Sequence, residues 1–442
     1  MTPPTRLTLA RSLFHLIWPS LLLAVMQASL AIVDASLASR LSLDHLAAIS
    51  VVYPFYLLMQ IVSLGGFGGA VAAHVARAAG AGNAGLVRET AIVAMGLSLA
   101  IGLACSLAYF CFSGLLTHRL LDRTQGELAL EYGGVLIGMA PVLWACNCAV
   151  SIARGLGLMK QTLWSACIAF PVQAAGISAC VLGLGVQEIS ALSLATLIGN
   201  FGWGLLVGAK LLRHPMLQKN LTAGASQRPR ILSSLASVGF FTSASSIITG
   251  LALITLSGIA AARFGRDALS AYGLVMRVEV IMMLIMGSVG AAVVTTCAGA
   301  LGRKDSWTTR QAAGMGVAAC VVLVGLMGIF GALHTEWVLR PFSITPSVRA
   351  YAVNYLVVVG WTFPLMALGF SSLFVGQGLH RPWPFFAAAT ARFAFLLAAT
   401  QWGAETFQSF STVVAGGYGL FGGLAAIALL FESSRLGRRL QQ

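Results

Sequence analysis

Only two of the 13 acidic residues, Asp34 and Glu279, stand deep inside long apolar stretches; the others fall at the ends of such stretches or in connections. A charge at the centre of a bilayer costs about 3 kcal/mol on insertion scales, so an acid kept there marks an ion or substrate pathway by default. Desolvation favours the neutral form of a carboxylate. A buried Asp can therefore take up a proton on one side of a membrane and release it on the other. Gln27 lies seven residues before Asp34, two helical turns away, and shares its face. The coupling role is favoured for Asp34 over a structural hydrogen bond. Glu279 is two residues from Arg277, so the two point to different faces. Arg392 is a further cation within an apolar stretch. A buried charge calls for a partner, and Glu279–Arg392 is one candidate, a structural ion pair being favoured over a second proton site.

Two polar stripes run along otherwise apolar helices. One carries Trp144, Asn147, Ser151 and Arg154, the other Ser193, Thr196 and Asn200. Asn147 and Thr196 read equally as functional groups or as interhelical hydrogen bonds, worth about 0.6 kcal/mol each. Ser151 and Ser193 read as the latter. The seven histidines and eight cysteines show no metal-ligand spacing. No metal or cofactor is expected.

These residues need a scaffold in lipid. The 442 residues are 58% hydrophobic and 9% charged, with mean hydropathy +0.87. A soluble domain carries about 25% charged residues. The 49 glycines sit inside apolar runs, where small residues let membrane helices approach closely. The net charge of +14 fits basic flanks on the cytoplasmic side of membrane helices. With no soluble basic domain, nucleic acid is excluded as a partner.

Twelve stretches suit spans of about 20 residues. They cover roughly residues 12–39, 44–76, 87–116, 127–154, 158–184 and 187–212, then 232–263, 268–300, 309–335, 346–376, 380–402 and 409–434. The expected domains are a six-helix bundle at 1–212, a cytoplasmic linker at 213–231 and a second six-helix bundle at 232–442. Of the 27 Lys and Arg, 18 fall on the side of the N-terminus, seven on the other, and Arg277 and Arg392 within spans. The positive-inside rule places both termini in the cytoplasm, for a multi-pass protein of the inner or plasma membrane. The halves repeat. Asp44, Leu46 and Ala48 match Asp267, Leu269 and Ala271, and Gly80 matches Gly302 after a one-residue gap. Arg154–Gly157 pairs with Val375–Gly378. Six spans repeated with the same entry side make a parallel repeat.

The chain resembles the multidrug and toxic compound extrusion family. The resemblance rests on Trp18-Pro19 with Asp34, on "LDHLAAISVVYPF" and "AHVARAAGAGN", on "ARGLGLMKQTLW", on "ISALSLATLIGNF", and on the second-half "SAYGLVMRVEVIMMLIMGSVGAAVVTTCAGALGRKD". It covers essentially the whole chain. It implies an all-α membrane protein of twelve helices in two pseudo-symmetric six-helix bundles set as a V. It also implies alternating access, and export of bulky cationic or amphipathic organic compounds against inward proton or sodium flow. Pro19 and Asp34 match the bend and acid of a proton-linked branch. Asn147 and Thr196 fit two positions of the polar cluster around that acid. The sodium-site acids of another branch have no counterpart, so proton is favoured over sodium. The chain is expected to act as a monomer. A flippase or exporter of lipid-linked or natural-product substrates is the alternative, supported by Arg277 and Arg392. A membrane enzyme would need a catalytic constellation near one interface, and none is visible.

Overall fold

The computed structural model describes residues 5–38, 43–120, 122–179, 189–218, 227–340, 342 and 344–438. Every regular element among them is helical. A helix satisfies its own backbone polar groups, which lipid cannot do. The chain divides into two compact units, Trp18–Gly239 and Met1–Ile17 with Phe240–Gln442, called here the first and second lobes.

The first lobe holds most of α1 (Arg6–Ala38), α2 (Leu43–Gln60), a π-helical segment (Ile61–Gly66) and α3 (Phe67–Gly80). It continues with α4 (Ala84–Leu120), α5 (Arg123–Leu136), α6 (Ala140–Gly155), α7 (Met159–Ser178), α8 (Ile189–Leu212) and the short α9 (Pro215–Gln218). The second lobe holds most of α10 (Arg228–Gly302), then α11 (Ser306–Leu333), α12 (Thr335–Leu339) and α13 (Pro346–Val359). A 3-10 turn (Gly360–Thr362), α14 (Phe363–Gly378), α15 (Trp383–Gly403) and α16 (Phe407–Arg438) complete it. Each lobe has its own apolar core, around Val71, Val150 and Trp203 in the first and Val275, Phe363 and Phe410 in the second.

Among the described residues, nine helices are long and apolar enough to cross a membrane, and the pair α5–α6, bent by 41°, makes a tenth. The 75 residues of α10 are two crossings. Gly265, at φ 83 and ψ −171, breaks it in a conformation that suits glycine. Beside the break, Arg263 donates to the carbonyls of Thr400 at 2.7 Å and Ala404 at 3.3 Å, capping the C-terminal end of α15. With the 20 residues of α7 the crossings number twelve, as the sequence predicts.

The expected repeat is visible in the backbone. The 16-residue helices α6 and α14 begin 223 positions apart, as do the 14-residue α5 and α13. Pro141 and Pro364 occupy the first turns of α6 and α14, where proline is tolerated; lacking an N–H, they separate these helices from α5 and α13. Each proline packs on a glycine of the preceding crossing. A Cβ on Gly102 would lie 2.6 Å from the Pro141 Cα, and one on Gly325 would lie 3.1 Å from the Pro364 ring. The one-residue gap between the repeats has a physical counterpart. The π-helical segment sits between α2 and α3, whereas α10 runs through the equivalent stretch as α-helix. A π-bulge is one inserted residue in a helix.

The backbone also corrects one pairing. Gly155 and Gly378 are the last residues of α6 and α14, and Gly157 and His380 follow with φ of 76° and 57°. The repeat is therefore two residues out of step with the pairing of Arg154–Gly157 with Val375–Gly378. The apolar side chains fit either register, and only the helix ends fix it.

Candidate functional site

The first lobe contains a connected network of neutral polar side chains. Asn147 on α6 donates from Nδ2 to Gln60 Oε1 at 2.6 Å and to Ser63 Oγ at 2.7 Å. Gln60 Nε2 donates to the Tyr56 hydroxyl at 2.7 Å, and Asn200 Nδ2 reaches the same hydroxyl from α8 at 3.3 Å. Ser63 also lies 3.3 Å from the Gln60 carbonyl, to which its hydroxyl can donate. Tyr56, Ser63 and Asn147 are buried, with Asn147 at 3% exposure. The π-helical segment seats Ser63, and the backbones close in beside it: a Cβ on Gly68 would lie 2.4 Å from Ser151 Oγ.

Two of the sequence candidates, Asn147 and Asn200, meet in this network. Thr196 is buried on the same helix as Asn200 and spends its hydroxyl on the Leu192 carbonyl at 3.0 Å, a bond within its own helix. Gln27 is half-buried on α1 and takes no part in the network. Pro19 lies inside α1, next to the lobe boundary at Ile17. The backbone of Asp34 belongs to α1; its side chain lies outside the described residues. Tyr56, Gln60 and Ser63 escaped the sequence reading. Their spacing of four and three along one apolar helix is the signal that could have found them.

The second lobe holds a charged cluster. Glu279, fully buried, accepts from the Tyr355 hydroxyl at 2.8 Å and from the Tyr418 hydroxyl at 2.9 Å, one on each oxygen. Arg392 is 4% exposed. Its guanidinium lies 4.5 Å from the centre of the Tyr418 ring and about 6 Å from those of Phe370 and Phe421, within range of cation–π attraction. The pairing of Glu279 with Arg392 is thus indirect. Among the described residues Glu279 makes no direct ion pair, and Tyr418 lies between the two, hydroxyl to the acid and ring to the cation. Arg277, read from the sequence as a cation within the span, is exposed, on another face from Glu279. Two positions apart on a helix, the residues cannot share an environment. Met282 and Met286 are buried in the core.

The two sites occupy equivalent positions. With a repeat of 223, Tyr56 corresponds to Glu279, Tyr132 to Tyr355 and Asn147 to Phe370. Asn200 and Tyr418 each follow a glycine, Gly199 or Gly417, whose missing side chain admits Gln173 or Leu396 of the preceding helix. Among the described residues no three His, Cys, Asp or Glu side chains gather as metal ligands.

The family profile for MatE matches this chain twice, over residues 19–177 and 243–402. The chain belongs to the MatE family. It is a multi-pass membrane transporter of the multidrug efflux family, not an enzyme. A probable multidrug resistance protein NorM of Aromatoleum aromaticum is 24% identical over 368 residues, covering 81% of this chain and 78% of that protein. A probable NorM of Bradyrhizobium diazoefficiens is 26% identical over 383 residues, covering 82% and 77%. Among solved structures, a MATE transporter in the bent conformation superimposes with a TM-score of 0.89 at 17% identity, covering 98% of this chain and 97% of that one. An outward-facing multidrug resistance MATE transporter of the MOP superfamily gives 0.86, also at 17% identity, covering 97% and 96%. These MatE structures share the twelve-helix, two-lobe fold.

Proposed function

We propose that this MatE chain expels cationic or amphipathic organic compounds by alternating access in exchange for protons, acting as a monomer, with both termini in the cytoplasm and Asp34 as the coupling acid. The enclosure of Glu279 is the observation that carries the reading. Of the two acids at membrane depth, Glu279 has both oxygens engaged by tyrosine hydroxyls and no exposure. Its chemistry is that of a structural charge, which leaves Asp34 to carry a proton. Proton and cationic substrate then compete for one carboxylate, and such competition is the coupling: each lowers the affinity of the other.

Uptake of a fluorescent lipophilic cation from the medium into everted membrane vesicles tests this. Transport is expected to follow an imposed pH gradient in sodium-free buffer, and Asp34→Asn to abolish it at normal expression. Full transport by the variant, or transport that needs sodium and ignores the pH gradient, would overturn the assignment.

A further inference from the structure

One acid of the second lobe is enclosed at a membrane boundary. Glu432, near the end of α16, has a side chain only 4% exposed. Two guanidinium groups converge on it. Arg381 Nη1 lies 3.3 Å from Oε1 and 3.5 Å from Oε2, and Arg435 Nη1 lies 3.7 Å from the same Oε1. Arg381 stands in the turn between α14 and α15, where its backbone N–H donates to the Gly376 carbonyl at 2.9 Å. Arg435 follows the acid by one turn of α16. Its guanidinium lies 4.1 Å from the centre of the Phe431 ring, a cation–π contact that holds it in place. One acid thus gathers two cations, and one positive charge is left over. Each guanidinium has five N–H donors. Among the described residues, no acceptor other than Glu432 meets either side chain. The acid is enclosed, but the two arginines are open, at 33% and 42% exposure.

The position is that of lipid headgroups. Arg435 is the last residue of the apolar crossing formed by α16, and Arg381 stands two residues before the crossing formed by α15. Trp383, Leu430 and Phe431 are exposed on the same helix ends, and tryptophan at the end of a crossing is typical of the membrane interface. The repeat of 223 puts Leu158 where Arg381 stands, so the cluster is an addition to the frame that the lobes share.

We propose that Arg381 and Arg435 bind the phosphate of an anionic phospholipid, with Glu432 holding the two guanidiniums together and the acyl chains lying along the exposed apolar surface of α16. Guanidinium donors match phosphate oxygens in pairs, and basic pockets between membrane helices take anionic headgroups. A zwitterionic lipid offers the same phosphate but brings its own cation, which the surplus positive charge repels.

The test titrates purified full-length protein in detergent with phosphatidylglycerol or with phosphatidylcholine of the same chains, and reads the first bound lipid by native mass spectrometry. One surplus charge corresponds to about fivefold tighter binding of the anionic lipid. Arg435→Gln leaves Glu432 bonded to Arg381 and is expected to bring that ratio toward one. Arg381→Gln is a second variant with the same expectation. Arg310→Gln, at an exposed arginine of α11, is expected to leave the ratio unchanged. Equal binding of the two lipids by the wild type overturns the inference, as does a ratio that survives both cluster variants. A ratio that falls as far in Arg310→Gln also overturns it, because the preference then belongs to the overall positive charge. Inorganic phosphate is the arm for a free anion. If it displaces phosphatidylglycerol and raises the Tm of the wild type but not of Arg435→Gln, the site takes free phosphate and the lipid assignment falls. Lipid binding needs neither gradient nor substrate, so its outcome is independent of the vesicle test of proton exchange.

Discussion

The two lobes share a backbone frame and differ in what they place inside it. At equivalent positions the first lobe has Tyr56, Asn147 and Asn200, and the second has Glu279, Phe370 and Tyr418. The same pair of helix faces meets in both, through Asn200 and Tyr56 in one and Tyr418 and Glu279 in the other. The first network is built of neutral side chains and is joined to a π-helical segment. The second is charged, satisfied and walled by aromatic rings. A duplicated scaffold thus carries a network of neutral amides and hydroxyls in one lobe and a tyrosine-bridged acid and cation in the other.

The division is open to direct attack. The largest effect is expected at Glu279. Glu279→Gln removes the charge that balances Arg392 across the Tyr418 ring, at a cost below the about 3–5 kcal/mol of a broken direct pair. Thermal unfolding and expression should both fall, and Glu279→Gln combined with Arg392→Met should recover most of the loss, because removing both charges removes the unpaired one. A single variant of normal stability that has lost its proton response would instead make the second lobe the coupling lobe.

A smaller and more selective effect is expected from removing the feature that only the first lobe has. Deleting Val62 gives the α2–α3 region the residue count of its counterpart in α10. The π-segment then closes into α-helix, the flanking turns keep their phase because the bulge had absorbed the extra residue, and the wider turn that seats Ser63 beside Asn147 is lost. Vesicle transport should be impaired while the protein still inserts, with a stability loss of about 1 kcal/mol from the Asn147–Ser63 hydrogen bond. Retained transport would show that the insertion is incidental.

The smallest effect concerns the caps. Gly82 and Gly157 end first-lobe helices in the left-handed region, with φ of 70° and 76°, and their second-lobe counterparts Lys304 and His380 hold the same conformation at 58° and 57°. Glycine adopts it without the Cβ penalty. Lys304→Gly should therefore raise stability by about 1 kcal/mol, seen as a modest rise in Tm, and Gly82→Lys should lower it by a similar amount.

Much of this architecture is legible in the sequence. Twelve apolar stretches and the doubled "LDHLAAIS" and "RDALSAYG" blocks carry the fold, because lipid leaves few alternatives to a helix. The burial of Glu279 and Arg392 follows from their positions in the apolar runs. Their actual relation does not, because it depends on Tyr418, which is 139 residues from Glu279 and looks like one more apolar-segment tyrosine. Arg277 lies in the same span as Glu279 but on its exposed face, as the spacing of two residues predicts. The network around Asn147 was half seen. Its partners Tyr56, Gln60 and Ser63 lie across a helical irregularity that no periodicity signals beforehand, though the one-residue gap between the repeats was its trace.

The wiring of Glu279 also bears on how the protein is made. Its two hydroxyl partners arrive 76 and 139 residues later in the chain, and Arg392 emerges between them. At about 5–20 residues per second, Tyr418 leaves the ribosome roughly 7–28 s after the acid. Over that interval the crossing that contains Glu279 is in the membrane with its carboxylate incompletely satisfied. The second lobe therefore cannot close crossing by crossing as it is synthesised. A nascent chain halted before α16 carries a buried acid with one of its two hydroxyl partners, and α16, which brings Tyr418, is the crossing that completes the cluster.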